Sequence, residues 1–244
     1  VINKTGSGTL VLTGTNTYTG TMNVNAGSVV AASNDAFGNN VINVVNVNTA
    51  SLSLFGTSLA LPANVTLNFL TGSSLIDDNV GGGNSIAGAV SFTNTNTFNV
   101  AQSGSSLTLT GIVSSGGTPI LNKTGNGRLI FGGASANTFT GTLNVTTGSV
   151  QALKTNAFGT AAVIVSASAN AELNPTSNIS LASAFSLTGT GVGGTGALVD
   201  LSSGLTNSIS GAITLTGNTT VGVTNSTTTL TLSNAIGDGA SNFD

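Results

Sequence analysis

Short runs in which apolar and polar residues alternate recur along almost the whole chain. They include residues 9–13, 21–25, 41–47, 51–54, 64–68, 106–110 and 227–232. A period of two residues is typical of a β-strand with one buried face. Turn-forming pairs such as Gly-Ser, Asn-Thr and Gly-Gly separate the runs, and no apolar stripe of helical period is longer than two turns. The pattern therefore predicts an all-β protein with almost no helix.

The alternating runs belong to a longer repeat. Residues 2–38, from INKTGSG to NDAFG, return with few changes as residues 121–159, from LNKTGNG to TNAFG. Further on, NSIAGAV at residues 84–90 returns as NSISGAI at residues 207–213. We therefore divide the chain into unit 1 (residues 1–119) and unit 2 (residues 120–244), and expect both to form one continuous body. We also interpret the chain as a segment of a longer repetitive polypeptide.

Three all-β architectures could be built from such strands. A sandwich does not explain the long period unless each unit is a separate domain. A transmembrane barrel calls for aromatic girdles, whereas the chain has one Tyr, ten Phe and no Trp. We predict a parallel β-helix of about 10–12 turns, each of roughly 20–25 residues, with a length of about 50 Å at the strand spacing of ~4.8 Å. Val, Leu, Ile and Phe would form inward ladders, and Asn and Thr would hydrogen-bond along the axis.

Composition narrows the possible partners. Charged residues make up 5% of the chain, its net charge is −3 and its mean hydropathy is +0.36, which is not the signature of disorder. The four basic residues Lys4, Lys123, Arg128 and Lys154 are too scattered for a nucleic-acid surface. No apolar run is long enough to predict a membrane span. The absence of cysteine rules out disulfides and thiolate metal sites, and it suits a chain that is exported unfolded.

Repeated glycines are the residues to which we assign a definite structural task. The G-x-G at residues 6–8 precedes a strand and not a helix, so a phosphate-binding role is disfavoured. We predict tight corners at Gly6, Gly8, Gly14, Gly20, Gly27 and Gly38, and at their copies Gly125, Gly127, Gly133, Gly141, Gly148 and Gly159.

Acidic residues offer the only candidates for site chemistry. Asp77 and Asp78 are adjacent, so in a strand they would point to opposite faces, and we interpret them as part of a solvated turn. With Asn79 they could hold one calcium ion, although the plain polar loop is favoured. The second unit offers only Asp200 in the corresponding region. Serines lack a histidine base. We therefore predict no catalytic, cofactor or metal site, and no enzyme.

The repeated motif resembles a known family. N-K-T-G-x-G-x-L at residues 3–10, N-T-Y-T-G at residues 16–20, Gly-Ser-Val at residues 27–29 and Ala-Phe-Gly at residues 36–38 all return in unit 2. In this order they resemble the autotransporter-associated β-strand repeat of bacterial surface proteins. The resemblance implies a right-handed parallel β-helix passenger on the outer surface of a Gram-negative cell, exported through a C-terminal barrel that this segment lacks. It fixes no catalytic residues.

Two functions follow as expectations. One is a rigid cell-surface stalk or adhesin that contacts a host or neighbouring cell, and the other is a structural protein that associates with itself, end to end or laterally, into an extracellular fibre or layer. Threonine runs at residues 13–21 and 93–97 resemble ice-binding arrays only weakly. If the chain recognises a ligand, Tyr18, Phe139 and the turn at Gly81–Gly83 are the first positions to test. Stacking inside the solenoid is the favoured interpretation of the two aromatic residues.

Overall fold

The computed structural model describes residues 1–44, 50–70, 72–78 and 81–239. Within these ranges every paired strand lies parallel to its neighbours, and the single helix is one 3-10 turn, Val192–Gly194. The predicted all-β parallel β-helix is confirmed, with about 10 turns. The end of the run predicted at residues 41–47 lies outside the described residues. No helix in the described ranges is long and apolar enough to cross a membrane.

Each turn of the coil passes through three faces. Face A contains β1 (Ile2–Lys4), β3 (Thr19–Val24), β5 (Asn39–Val44), β8 (Thr66–Phe69), the first halves of β11 (Val90–Val100) and β13 (Val113–Thr124), and later β19 (Ser180–Leu181), β22 (Thr206–Ile209) and β25 (Thr229–Leu232). Face B contains β2 (Thr9–Leu12), β4 (Ser28–Ala31), β6 (Ser51–Leu54), β9 (Ser74–Asp77), the second halves of β11 and β13, β15 (Thr142–Val145), β17 (Ala162–Val165), β20 (Phe185–Gly189), β23 (Ile213–Thr219) and β26 (Ile236–Gly237). Face C contains β7 (Ala60–Leu61), β10 (Gly83–Ile86), β12 (Ser106–Leu109), β14 (Arg128–Phe131), β16 (Gly148–Ala152), β18 (Ala169–Leu173), β21 (Leu198–Asp200) and β24 (Val221–Val223).

The core follows from the strand register. Val29, Leu52, Leu75 and Phe98 occupy matching positions of successive face B strands, and all four are fully buried. Period-two alternation thus becomes a ladder of apolar side chains along the axis. Aromatic rings add a second run, with centroids 5.1–6.4 Å apart from each ring to the next. This run contains Phe69, Phe98, Phe92, Phe139, Phe131, Phe158 and Phe185, so the core is continuous from unit 1 into unit 2.

The repeat unit does not contain a whole number of turns. Starting at Ile2, the face A register runs through Met22, Ile42, Leu67, Val90 and Val113, which makes five turns. The chain then bends onto face B, and there it reaches Leu121, the copy of Ile2. One unit is therefore five turns plus one face, and unit 2 is rotated about the axis by roughly a third of a turn. Three such units would bring the motif back to its first face.

Candidate functional site

The lysine of the repeated motif stands in an inward ladder. Lys123 lies between Phe98 and Val145 in the face B register and is fully buried. Its aliphatic stem packs in the core while its ammonium reaches the corner that follows β13. There Nζ donates hydrogen bonds to the carbonyl oxygens of Thr124 at 2.8 Å, Gly125 at 2.8 Å and Thr147 at 3.2 Å. One side chain thus joins the corners of two successive turns.

Burial sets the charge behaviour of this lysine. Loss of solvation lowers the pKa of Lys123 to about 7. The corresponding Lys4 makes the same set of bonds, to Thr5 O at 3.2 Å, Gly6 O at 2.8 Å and Ala26 O at 2.8 Å, but it is only half-buried. The arrangement of donor and acceptors therefore belongs to the motif, whereas the burial depends on the neighbouring turns.

Glycines close the same corner from the other side. Gly148 has φ +64°, and a Cβ at this position would overlap the carbonyl oxygens of Gly125 and Gly127. Its copy Gly27, with φ +68°, approaches Gly6 and Gly8 in the same way. Only glycine combines a positive φ with this close approach of two backbones. The lysine bonds and this glycine together define a corner cluster: Lys4, Gly6 and Gly27 in unit 1, and Lys123, Gly125 and Gly148 in unit 2.

The twelve glycines assigned to corners do not all adopt one conformation. Nine have φ between +57° and +113°: Gly6, Gly20, Gly27, Gly38, Gly125, Gly133, Gly141, Gly148 and Gly159. Gly8, Gly14 and Gly127 are not among the residues with positive φ. Gly20 lies inside β3 and Gly148 begins β16, so the corner motif overlaps with strand ends.

The acidic residues occupy places that the sequence did not indicate. The solvated turn predicted for Asp77 is wrong, because Asp77 is fully buried at the end of β9 and accepts a hydrogen bond from Asn84 Nδ2 at 2.8 Å. Asp200 in unit 2 is equally buried and accepts from Asn207 Nδ2 at 2.8 Å. Asp78, the neighbour of Asp77, is exposed, as the opposite-face argument requires. Both Asp-Asn pairs follow the rule that a buried charge is hydrogen-bonded.

Asp200 also accepts from the hydroxyl of Ser202 at 2.7 Å and from its amide at 3.0 Å. Asn79, the third residue of the calcium candidate, lies outside the described residues. In the part of the chain that the structure describes, no three His, Cys, Asp or Glu side chains group as metal ligands.

The three positions suggested for ligand recognition differ in their solvent accessibility. Phe139 is fully buried and lies 5.6 Å, centroid to centroid, from Phe92 and from Phe131, so stacking inside the solenoid is its role. Tyr18, its copy, is half-buried against the core, and burial raises the pKa of its phenol. Gly81 and Gly83 are exposed, with Gly82 between them partly covered.

A different site appears where the two units depart from one another on face C. When the strand registers of the two units are compared, Arg128, Gln151 and Glu172 of unit 2 correspond to Thr9, Val30 and Ser53 of unit 1. The three polar side chains of unit 2 stand next to each other on the outer surface of face C. Arg128 Nε is 2.7 Å from Glu172 Oε2, and Gln151 Nε2 donates to the same oxygen at 2.9 Å. Thr9, Val30 and Ser53 of unit 1 carry no charge and cannot make this ion pair.

A longer loop lies beside these side chains. From Leu187 to Asp200 the chain takes 13 residue steps, whereas the corresponding path from Phe69 to Asp77 takes 8. The five additional residues let the loop fold back over β18, where Asn170 accepts from the amide of Val192 and donates to Thr195 Oγ1 at 3.0 Å. All five residues of β16 and all five of β18 are buried, so both strands are covered on both faces.

The loop forms one wall of a groove, which we call the corner groove. Its two adjoining cavities, of about 250 and 440 Å³, share Ser103, Asn126, Gly148 and Val192 as lining residues. Arg128 and Glu172 line the smaller cavity, and their side chains are 42% and 7% exposed. Sequence reasoning missed this groove. The positions at which the two copies differ in sequence would have indicated it, whereas the positions at which they agree would not.

Comparison with known proteins identifies the repeat. A family model described as passenger-associated-transport-repeat matches residues 2–31 and 121–152, about a quarter of the chain. The match confirms the predicted resemblance to the autotransporter-associated repeat and indicates a β-helical protein of the autotransporter passenger type. Each matched segment contains one whole corner cluster and ends with β4 or β16. No curated protein sequence and no solved structure matches the chain significantly.

Proposed function

We propose that the chain is a rigid part of a bacterial surface passenger, a non-enzymatic stalk that holds binding surfaces away from a Gram-negative cell. The observation that carries this proposal is the coincidence of both passenger-repeat matches with the corner clusters. The family motif here is a device that ties one turn of the coil to the next. A motif whose residues stack successive turns suits a protein whose function is to extend away from the cell surface.

A stack of similar turns provides this length with a repetitive sequence. Each turn contacts mainly the turns before and after it, so length grows by addition. At a strand spacing of about 4.8 Å, ten turns extend about 48 Å, and each further unit of five and a third turns adds about 26 Å. Rotation by one face per unit would also present equivalent surfaces in three directions along a longer array.

The acidic side chains support the non-enzymatic part of the proposal. General acid-base catalysis needs a carboxyl group within reach of substrate. Asp77 and Asp200 are each buried and engaged by an asparagine of the same unit. Glu172 is held by Arg128 and Gln151. Their bonds within the fold account for these three carboxylates.

A self-assembling fibre or layer is the second candidate, and one observation favours it. Face B exposes apolar side chains at Ile120 and Ile164, which are 38% and 41% accessible, on a surface with few charges. Weak electrostatic repulsion and scattered apolar contacts allow solenoids to associate side by side. In this case the partner of the chain would be a second copy of itself, and in the first case a host or neighbouring cell surface.

Small-angle X-ray scattering over a concentration series separates the two candidates. The stalk predicts a monomeric rod about 50 Å long whose radius of gyration does not change with concentration. Growth of the particle with concentration would overturn the monomeric stalk in favour of the fibre. Antibody labelling of intact cells of the source bacterium, with lysed cells as the control, tests the surface location. Labelling only after lysis would contradict it.

A further inference from the structure

We propose that the corner groove binds a neutral, hydroxyl-rich ligand of the carbohydrate class. The lining carries one positive side chain, Arg128, and one negative side chain, Glu172, and these two neutralise each other at 2.7 Å. A charged ligand would gain little from a neutral groove. An apolar ligand would find only Val192 and Ala167 among serines, asparagine and exposed glycine backbone.

Hydroxyl groups match the bonding capacity of this lining. Each hydroxyl donates one hydrogen bond and accepts others, and the groove offers both kinds of partner. Arg128 donates from Nη2 to Glu172 Oε1 at 3.4 Å and its side chain remains 42% exposed, so it retains further N–H donors. Asn126 supplies an amide, and Ser103 and Ser168 supply hydroxyls. Adjacent donors and acceptors of this kind suit the neighbouring hydroxyls of a sugar ring.

The shape of the groove favours a linear ligand. Gly104, Asn126, Gly148 and Ser168 belong to the same corner in four successive turns of the coil. At about 4.8 Å per turn, the floor between the first and the last is about 14 Å long and runs parallel to the solenoid axis. A short oligosaccharide can lie along such a floor, with one sugar contacting more than one turn.

The wall of the groove is organised before any ligand arrives. Besides the two bonds of Asn170, the loop is closed by Gly196 N to Thr190 O at 2.8 Å and by Thr195 Oγ1 to Val192 O at 3.0 Å. A loop that is already ordered loses little conformational entropy on binding. Gly193 and Gly194 are exposed and have open space where a side chain would project, while Gly194 N donates to Gly191 O at 3.2 Å within the loop.

Unit 1 shows that none of these features is needed to build the solenoid. It stacks its turns with Thr9, Val30 and Ser53 at the positions of Arg128, Gln151 and Glu172. Replacement of those three residues and addition of five loop residues converge on one place. This convergence points to a task other than stacking.

Isothermal titration of the purified chain tests the inference, with cellotetraose, maltotetraose and tetra-N-acetylchitotetraose as neutral probes and tetragalacturonate as the anionic one. Asn126→Trp fills the groove from an exposed turn, and Ser7→Trp is the matched change at the same motif position of unit 1. The double variant Arg128→Thr with Glu172→Ser installs the unit 1 residues and leaves no buried charge unpaired.

We expect at least one neutral tetrasaccharide to bind the wild-type chain. Its affinity should fall by at least about tenfold in Asn126→Trp and in the double variant, and stay unchanged in Ser7→Trp. The inference is overturned if no neutral probe binds, if tetragalacturonate binds more tightly, or if Ser7→Trp weakens binding equally. The titration uses purified protein, so its outcome is independent of the cell-labelling result that tests the stalk.

Discussion

The same corner cluster occurs twice in this chain in two different settings. Lys4 and Lys123 donate to equivalent carbonyl oxygens, and Gly6 and Gly125 have φ of +73° and +75°. However, Lys123 is fully buried, whereas Lys4 lies in the first turn of the chain and is half-buried. The geometry is therefore a local property of about 30 residues. The preceding turn provides the burial, and with it the larger contribution of the cluster to the stability of the fold.

The glycines show the same difference in steric terms. A Cβ on Gly125 would overlap Val100 O and Asn99 Oδ1 of the preceding turn, whereas a Cβ on Gly6 would meet nothing within 4 Å. Two positions with one backbone conformation thus tolerate side chains to different degrees. The comparison separates the cost of backbone strain from the cost of lost packing, which are normally measured together.

The largest predicted effect uses this separation. Gly6→Ala should lower the free energy of unfolding by about 1–2 kcal/mol, which is the cost of a left-handed conformation alone. Gly125→Ala should cost at least about 3 kcal/mol, because its methyl group also pushes two turns apart. Urea denaturation followed by circular dichroism measures both. Equal losses in the two variants would show that the preceding turn shifts to accommodate the added methyl group with no further loss of stability.

The next effect concerns the buried charge. Lys123→Met should cost about 2 kcal/mol at pH 7, since three carbonyl oxygens lose their donor. The unfolded lysine keeps its ordinary pKa near 10.5, whereas the folded value is about 7. Between these values the unfolded state binds more protons, so wild-type stability should rise with pH at up to about 1.4 kcal/mol per pH unit. Below pH 7 this contribution becomes constant.

Urea midpoints at several pH values between 6 and 10 check this prediction. The quantity to follow is the difference between wild type and Lys123→Met, because other groups then cancel. Lys4→Met is the matched substitution and should cost less at pH 7, because its site is more open to water. A wild-type advantage that stays constant or shrinks as the pH rises would contradict the assignment.

The fold class could be predicted from the sequence because its signals are local. Alternation with period two predicted the inward ladders, and the repeated glycines predicted corners at Gly6 and Gly125. The role of Lys4 and Lys123 in the corner cluster was not predicted. The rotation of unit 2 by one face could not be predicted. Turns vary in length, for example 19 residues between Thr9 and Ser28 and 28 between Phe185 and Ile213, so a period of about 120 residues does not reveal how many turns it contains.

The buried acids and the corner groove escaped prediction for a related reason. Asp77 depends on Asn84, seven residues further along the chain, and only the bend between faces B and C brings the two together. Arg128 and Glu172 are 44 residues apart and meet because β14, β16 and β18 are neighbours. Such pairs become visible once the register is known. A residue-by-residue comparison of the two units would have pointed to the second pair.

The smallest predicted effect tests whether the location of a residue along the coil changes how much a hydrogen bond outside the core contributes to stability. Asn144 Nδ2 donates to Asn122 Oδ1 at 3.0 Å, and the copies Asn23 and Asn3 make the same bond at 2.9 Å, both on the outer surface of the coil. Asn144→Ala and Asn23→Ala should each cost about 0.5–1 kcal/mol, measured by urea midpoint, since the net value of such a bond is small in water. Near-equal losses are expected, because both bonds lie on the outward side of the strands, away from the apolar core. A clearly larger loss at Asn144 would mean that the inner position of unit 2 strengthens surface bonds as well as buried ones.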